Sequence, residues 1–135
     1  MSTIVTRSGK GSPLTNTEID ANFSNLNNDK LELIVNGITS AATITPASTD
    51  TQYNVTALAV DATIAAPSGT PVSGKKLLLR IKDNGTARSL TWNAIFRAIG
   101  VTLPTTTVAG KYLYAGLEYN ATDTKWDVLA IRQEA

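Results

Sequence analysis

Residues 75–93 read KKLLLRIKDNGTARSLTWN, and the first half alternates with a period of two: Leu77, Leu79 and Ile81 fall on one side of an extended chain, Leu78, Arg80 and Lys82 on the other. Such a segment is a strand with one apolar face. The triplet Asp83-Asn84-Gly85 that follows tolerates positive backbone angles, so the spacing predicts a tight hairpin returning from Ile81 to Leu90. Working outward, the same period marks strands over 53–64, 76–82, 89–93, 111–120 and 126–132. They are separated by turn-rich stretches such as PSGTPVSG and NATDTK. A second hairpin should pair 114–119 with 126–130. Short strands separated by regular turn signals predict a mainly β protein, with residues 53–135 forming a small antiparallel β-sandwich or jelly-roll-like domain.

Residues 7–23, RSGKGSPLTNTEIDANF, have a different character. A lysine among glycines resembles a phosphate loop, but the early glycine that such a loop requires is Ile4, and Gly11 separates Lys10 from Ser12. The stretch is therefore read as the end of an extended arm over 1–14, closed by Pro13. After it, Thr15 and Glu18 have the spacing of a capping box, and Leu14 and Ile19 that of a hydrophobic staple, so a helix begins at 15. Ile19, Phe23, Leu26, Lys30 and Leu33 then recur at alternating steps of four and three, the seam of a short coiled coil with one lysine in it. A helix over 15–35 this short and rich in asparagine is marginal alone. It is expected to gain order from other copies of the chain, the competing reading being that the stripe packs on its own domain. Residues 36–52 are small, polar and interrupted by Gly37 and Pro46, and read as a linker with room for a short strand at 43–45.

Composition narrows the chemistry. Net charge is +1 and charged residues make up 17% of the chain, which gives no broad field for nucleic acid or an anionic membrane. With no cysteine and no histidine, disulfides, Cys/His zinc sites, thiol nucleophiles and Ser-His-Asp triads are excluded. Neither a signal peptide nor a long apolar run is present, so assembly in a cytoplasm is expected and the N-x-[ST] sequons at Asn22, Asn54, Asn84 and Asn120 carry no glycosylation signal. Asp123 and Asp127 flank Trp126, a carboxylate pair beside an aromatic that could grip a sugar or a calcium ion. A turn and a strand face explain the same residues, and Trp92 and Trp126 also read as core. Arg80, Lys82, Arg88 and Arg97 gather around the first hairpin as a partner-facing patch or a solvated edge. No catalytic group, cofactor or metal set emerges, and the expected role is non-enzymatic.

GKGSPLTNTEIDANFSNLN, residues 9–27, resembles a segment near the N-terminus of many bacteriophage tail-fibre and other virion appendage proteins. Residues 74–131, with LTWN after IKDNG and a final KWDV strand, are similar to a β-domain of phage virion proteins. The resemblance implies a homotrimer located in the virion and anchored through its N-terminal part to a major capsid protein or a tail or baseplate component. Because the chain ends directly after the β-body, a capsid decoration or head-fibre role is expected ahead of a short tail fibre or receptor-binding knob. Leu14, Ile19, Phe23, Leu26 and Leu33 are the expected assembly residues. Trp126, Asp123 and Asp127 are the candidates for facing a ligand such as a host surface glycan, the remaining alternative being a carbohydrate-binding module.

Overall fold

A computed structural model describes residues 3–29 and 32–135, which divide into two units, 1–32 and 33–135. In the first, a single helical turn, α1 (Arg7–Lys10), precedes a longer helix, α2 (Asn16–Asp29). The arm expected to be extended over 1–14 therefore contains a turn of helix. Thr6 caps its start, accepting from the Gly9 N–H, and Gly11 ends it in the left-handed region at φ 72°. The long helix is also shorter than the expected 15–35. Val35 already belongs to a strand and Leu33 to the second unit, while Lys30 lies outside the described residues.

The second unit is mainly β. Its strands are β1 (Val35–Ile38), β2 (Thr43–Ile44), β3 (Gln52–Leu58), β4 (Ala62–Ile64), β5 (Lys76–Asp83), β6 (Leu90–Trp92), β7 (Phe96–Ala98), β8 (Tyr112–Asn120) and β9 (Lys125–Gln133). They form a six-stranded sheet of order β1-β3-β5-β8-β9-β7 and a three-stranded sheet of order β2-β4-β6. The first six strands alternate between the sheets, and each is parallel to the next strand of its own sheet, so the chain winds through three rungs of a coil. The coil is closed by the antiparallel strands β8 and β9, with β7 parallel to β9 at the far edge.

This corrects the all-antiparallel expectation: the large sheet is mixed and the small one all parallel. It also removes the hairpin between Ile81 and Leu90. Both sides of β5 are taken, by β3 and β8, and β6 belongs to the other sheet. Asp83-Asn84-Gly85 is instead a corner at which the chain changes sheets. The expected single strand over 53–64 likewise breaks into β3 and β4, one in each sheet. The supposed linker over 36–52 holds β1 and β2, the first rung. Its two apparent interrupters are packing residues: a Cβ on Gly37 would lie 2.3 Å from the Asn54 carbonyl oxygen, and Pro46 is fully buried. The second expected hairpin is present, with Tyr119 opposite Trp126 and Leu117 opposite Val128.

Alternation along each strand fills the space within the coil. Tyr53, Val55, Leu77, Leu79, Ile81, Leu113, Ala115, Leu117 and Val128 from the large sheet meet Ile44, Ala62, Ile64 and Leu90 from the small one. Outside the small sheet, Thr43, Thr63 and Thr91 stand in register as an exposed ladder, as suits β-branched residues on adjacent strands. Two buried carboxylates hold the corners. Asp50 accepts from the Ala47 N–H at 2.8 Å and from the Asn36 amide at 2.6 Å. Asp83 accepts from Thr107 Oγ1, the Gly110 N–H and the Gly85 N–H at 2.5, 2.6 and 2.9 Å. Burial pushes the Asp83 carboxyl up, but these donors and Arg88 together hold it below its ordinary 3.8.

Removing the Asp83 carboxylate would leave the buried Thr107 hydroxyl, the half-buried Gly110 N–H and the Gly85 N–H without that acceptor. Asp83→Ala should therefore lower unfolding free energy in a urea titration by about 2–4 kcal/mol, against less than about 1 kcal/mol for Asp61→Ala, whose exposed carboxylate takes only the Ser89 N–H. Because its folded value is depressed, the Asp83 contribution is complete above about pH 4 and is lost as pH falls through that lowered value.

Candidate functional site

The first unit is organised around a four-residue signal. Glu18 donates its N–H to Thr15 Oγ1 at 3.2 Å, and the Glu18 carboxylate accepts the Thr15 N–H at 2.7 Å, so the expected capping box is formed. Lys10, the residue that suggested a phosphate loop, places Nζ 2.5 Å from the same carboxylate oxygen. Its hydrogen bond is the main reason the Glu18 carboxyl is held down to about 2, with the Thr15 N–H next. The lysine thus joins α1 to the start of α2.

The asparagines of α2 fasten the arm. Asn22 accepts the Val5 N–H and donates to the Val5 carbonyl, both at 2.8 Å, closing a two-point bracket, and Asn25 donates to the Thr3 carbonyl at 2.7 Å. Their helix propensity is low, but their position along one side of α2 lets them replace the hydrogen bonds a strand neighbour would give the arm. Asn22 and Asn25 are half-buried as a result. The apolar stripe receives nothing comparable: Ile19 is 38% exposed, Phe23 68% and Leu26 58%. Leu14 is half-buried at the helix entry, and none of the described residues of this unit is buried. Leu33, expected in the same seam, is 80% exposed but lies in the second unit.

In the second unit the three residues expected to face a ligand are engaged within the chain. Trp126 is 1% exposed, packed with its ring 5.3 Å from that of Tyr119, because its strand position points into the core. Asp123 and Asp127 are brought together, but by Arg97. The guanidinium makes a two-pronged contact with Asp127, Nε to Oδ1 at 2.7 Å and Nη2 to Oδ2 at 3.0 Å, while Nη1 reaches Asp123 at 2.8 Å. This hydrogen bonding lowers the Asp127 carboxyl and raises the Arg97 guanidinium. Both acids are therefore engaged, and no group of three or more potential metal ligands occurs among the described residues. Trp92 is half-buried, donating Nε1–H to the Pro104 carbonyl at 2.8 Å and meeting Phe96 edge-on.

The expected basic cluster separates. Arg97 is in the clamp just described, and Arg88 reaches Asn84 at 3.2 Å near the corner. Arg80 and Lys82 point outward from β5 onto tyrosines: the Arg80 guanidinium lies 4.3 Å from the Tyr112 ring centre and Lys82 Nζ 4.7 Å from it. Sequence reading passed over Tyr112 and Tyr114 because their cationic neighbours lie on a different strand. The period-two placement of Tyr112, Tyr114 and Gly116 was the available signal. Protein-family models, curated proteins and solved structures yield no match to this chain.

Glu18 sets a pH response for the first unit. Its folded value is depressed, so the capping interaction is complete above about pH 4.5 and is lost as pH falls through about 2. In an NMR titration the Thr15 amide should shift with a midpoint near 2, and Glu18→Gln should abolish that step while the signals of β8 and β9 titrate as before.

Proposed function

We propose that the chain is a structural component of a bacteriophage particle, a small homotrimer of the capsid decoration or head-fibre kind, whose work is binding rather than catalysis. Its N-terminal unit joins the copies and attaches them to a major capsid protein, and its two-sheet body is the displayed head. The observation that carries this reading is the allocation of α2's surface. The polar side is used up by the chain's own arm through Asn22 and Asn25, while Ile19, Phe23 and Leu26 are left open.

The magnitudes favour a shared seam. A helix of 14 residues is marginal in water, and the bracketing hydrogen bonds of an exposed arm add little net free energy. Burying the three apolar side chains is worth about 1.5–3 kcal/mol each, so α2 gains most by packing them against equivalent stripes in a coiled-coil-like arrangement. Three copies repeat that gain around one axis, and a threefold site on a capsid lattice offers matching symmetry. Attachment through several copies multiplies a weak single contact. The resemblance of residues 9–27 and 74–131 to phage virion proteins supplies the biological setting. The same seam would serve a short tail fibre, and gold labelling of intact particles separates heads from tails.

Phe23→Asp should leave the body folded, with an unchanged main thermal transition, while sedimentation velocity shifts from a concentration-dependent oligomer to a single chain. A wild-type protein that sediments as a monomer at all accessible concentrations, or a Phe23→Asp protein that remains associated, would be at odds with the proposal.

A further inference from the structure

The outward face of the large sheet carries a second feature that α2 does not explain. Arg80, Tyr114 and Arg132 stand opposite one another across β5, β8 and β9, and in antiparallel pairs directly opposed residues share a face. One row further along, Lys82 faces Tyr112. In the row on the other side, Leu78, Gly116 and Ala130 are aligned. Just past Gly116 the register of β8 and β9 slips, and Leu129 is left 50% exposed. These residues border an open recess of about 250 Å³, edged by the Lys76–Glu118 ion pair. Gly116 keeps the recess open: a Cβ there would meet only the Ala130 Cβ, at an ordinary 3.7 Å.

Among the described residues, no ion pair joins Arg80, Lys82 or Arg132 to a carboxylate. The side-chain acids of the second unit are committed elsewhere: Asp50 and Asp83 are buried on their donors, Asp61 takes the Ser89 N–H, Glu118 pairs with Lys76, and Asp123 and Asp127 hold Arg97. Glu134, at the Tyr112 end, accepts the Tyr112 N–H at 2.9 Å. Arg80, Lys82 and Arg132 thus form a group of like charges resting on or beside two tyrosines, with an apolar recess in the adjacent row. Tyrosine, arginine and an apolar pocket are the composition of a protein-binding hot spot, and three cations outside any ion pair select an acidic partner. A sugar seated in the recess would leave hydroxyls facing hydrocarbon, which disfavours a glycan there.

We propose that this face docks an acidic segment of a partner protein in which one leucine or phenylalanine enters the recess and a carboxylate within two residues of it meets Arg80 and Arg132, with Lys82 one row beyond. The spacing fits, since residues two apart on an extended chain are about 6.6 Å apart, as are successive rows of the sheet. The site lies wholly in the second unit and does not depend on the α2 seam.

The test uses the full chain and fluorescence anisotropy with a labelled peptide, Glu-Asp-Leu-Asp-Glu. It should bind, and Arg80→Gln combined with Arg132→Gln should weaken it about tenfold or more, as expected for charge-assisted contacts. Gly116→Val fills the recess at a position where a side chain fits and should weaken binding about fivefold or more without lowering the melting temperature. Leu129→Asp should do the same and serves as the second recess variant. Phe23→Asp protein should bind as wild type does, which keeps this result separate from that of the α2 seam. The proposal is overturned if the peptide fails to bind at millimolar concentration or if the two-arginine variant binds it unchanged. It is also overturned if a peptide with alanine for leucine, one with lysine for its acids, or an oligogalacturonate binds equally well.

Discussion

The second unit rests on the register of its stacked strands. Tyr53, Leu79 and Ala115 lie side by side across three strands, Val55, Ile81 and Leu113 across the same three, and Ile44, Ile64 and Trp92 across the small sheet. A slip of one residue in any of these ladders would turn apolar side chains outward and polar ones inward. The two corners fixed by Asp50 and Asp83 oppose that slip: Asp50 ties the Ala47 N–H to the Asn36 side chain of β1, and Asp83 ties the end of β5 to the Gly85 and Gly110 N–H groups. Packing and corner hydrogen bonds therefore specify the same arrangement, which is what a single native state requires.

Local and distant interactions differ in how far they can be read in the sequence. The capping box at Thr15 and Glu18 was legible because both partners sit within one turn, and the β8–β9 hairpin because strand, turn and strand are contiguous. Asp83-Asn84-Gly85 misled because such a triplet permits a reversal without naming the neighbouring strand; β5 had already been claimed by β3 and β8. Parallel pairing was hidden for the same reason, since it joins segments with a whole rung between them. Gly37 and Pro46 looked like linker residues and are packed components of the first rung.

The candidate site shows the same division. The stripe of Ile19, Phe23 and Leu26 followed from helical spacing, and all three are open to solvent. That Asn22 and Asn25 would hold the arm did not follow, because the Val5 and Thr3 groups they bind are 17 and 22 residues away along the chain. Asp123 and Asp127 were rightly seen as neighbours. Arg97, 30 residues from Asp127, is what turns them from a candidate ligand site into a strut between β7 and β9.

The two units thus differ in how they use their apolar residues. The body buries its apolar faces within its own rungs, whereas α2 uses its polar side internally and leaves Ile19, Phe23 and Leu26 exposed, the stripe proposed to join copies. Residue-resolved hydrogen exchange at several protein concentrations tests that difference most directly, because a segment stabilised by other copies gains protection by mass action. The account predicts that the amides of α2 slow as concentration rises while those of β5 and β8 do not change. Protection of α2 that is independent of concentration would contradict it.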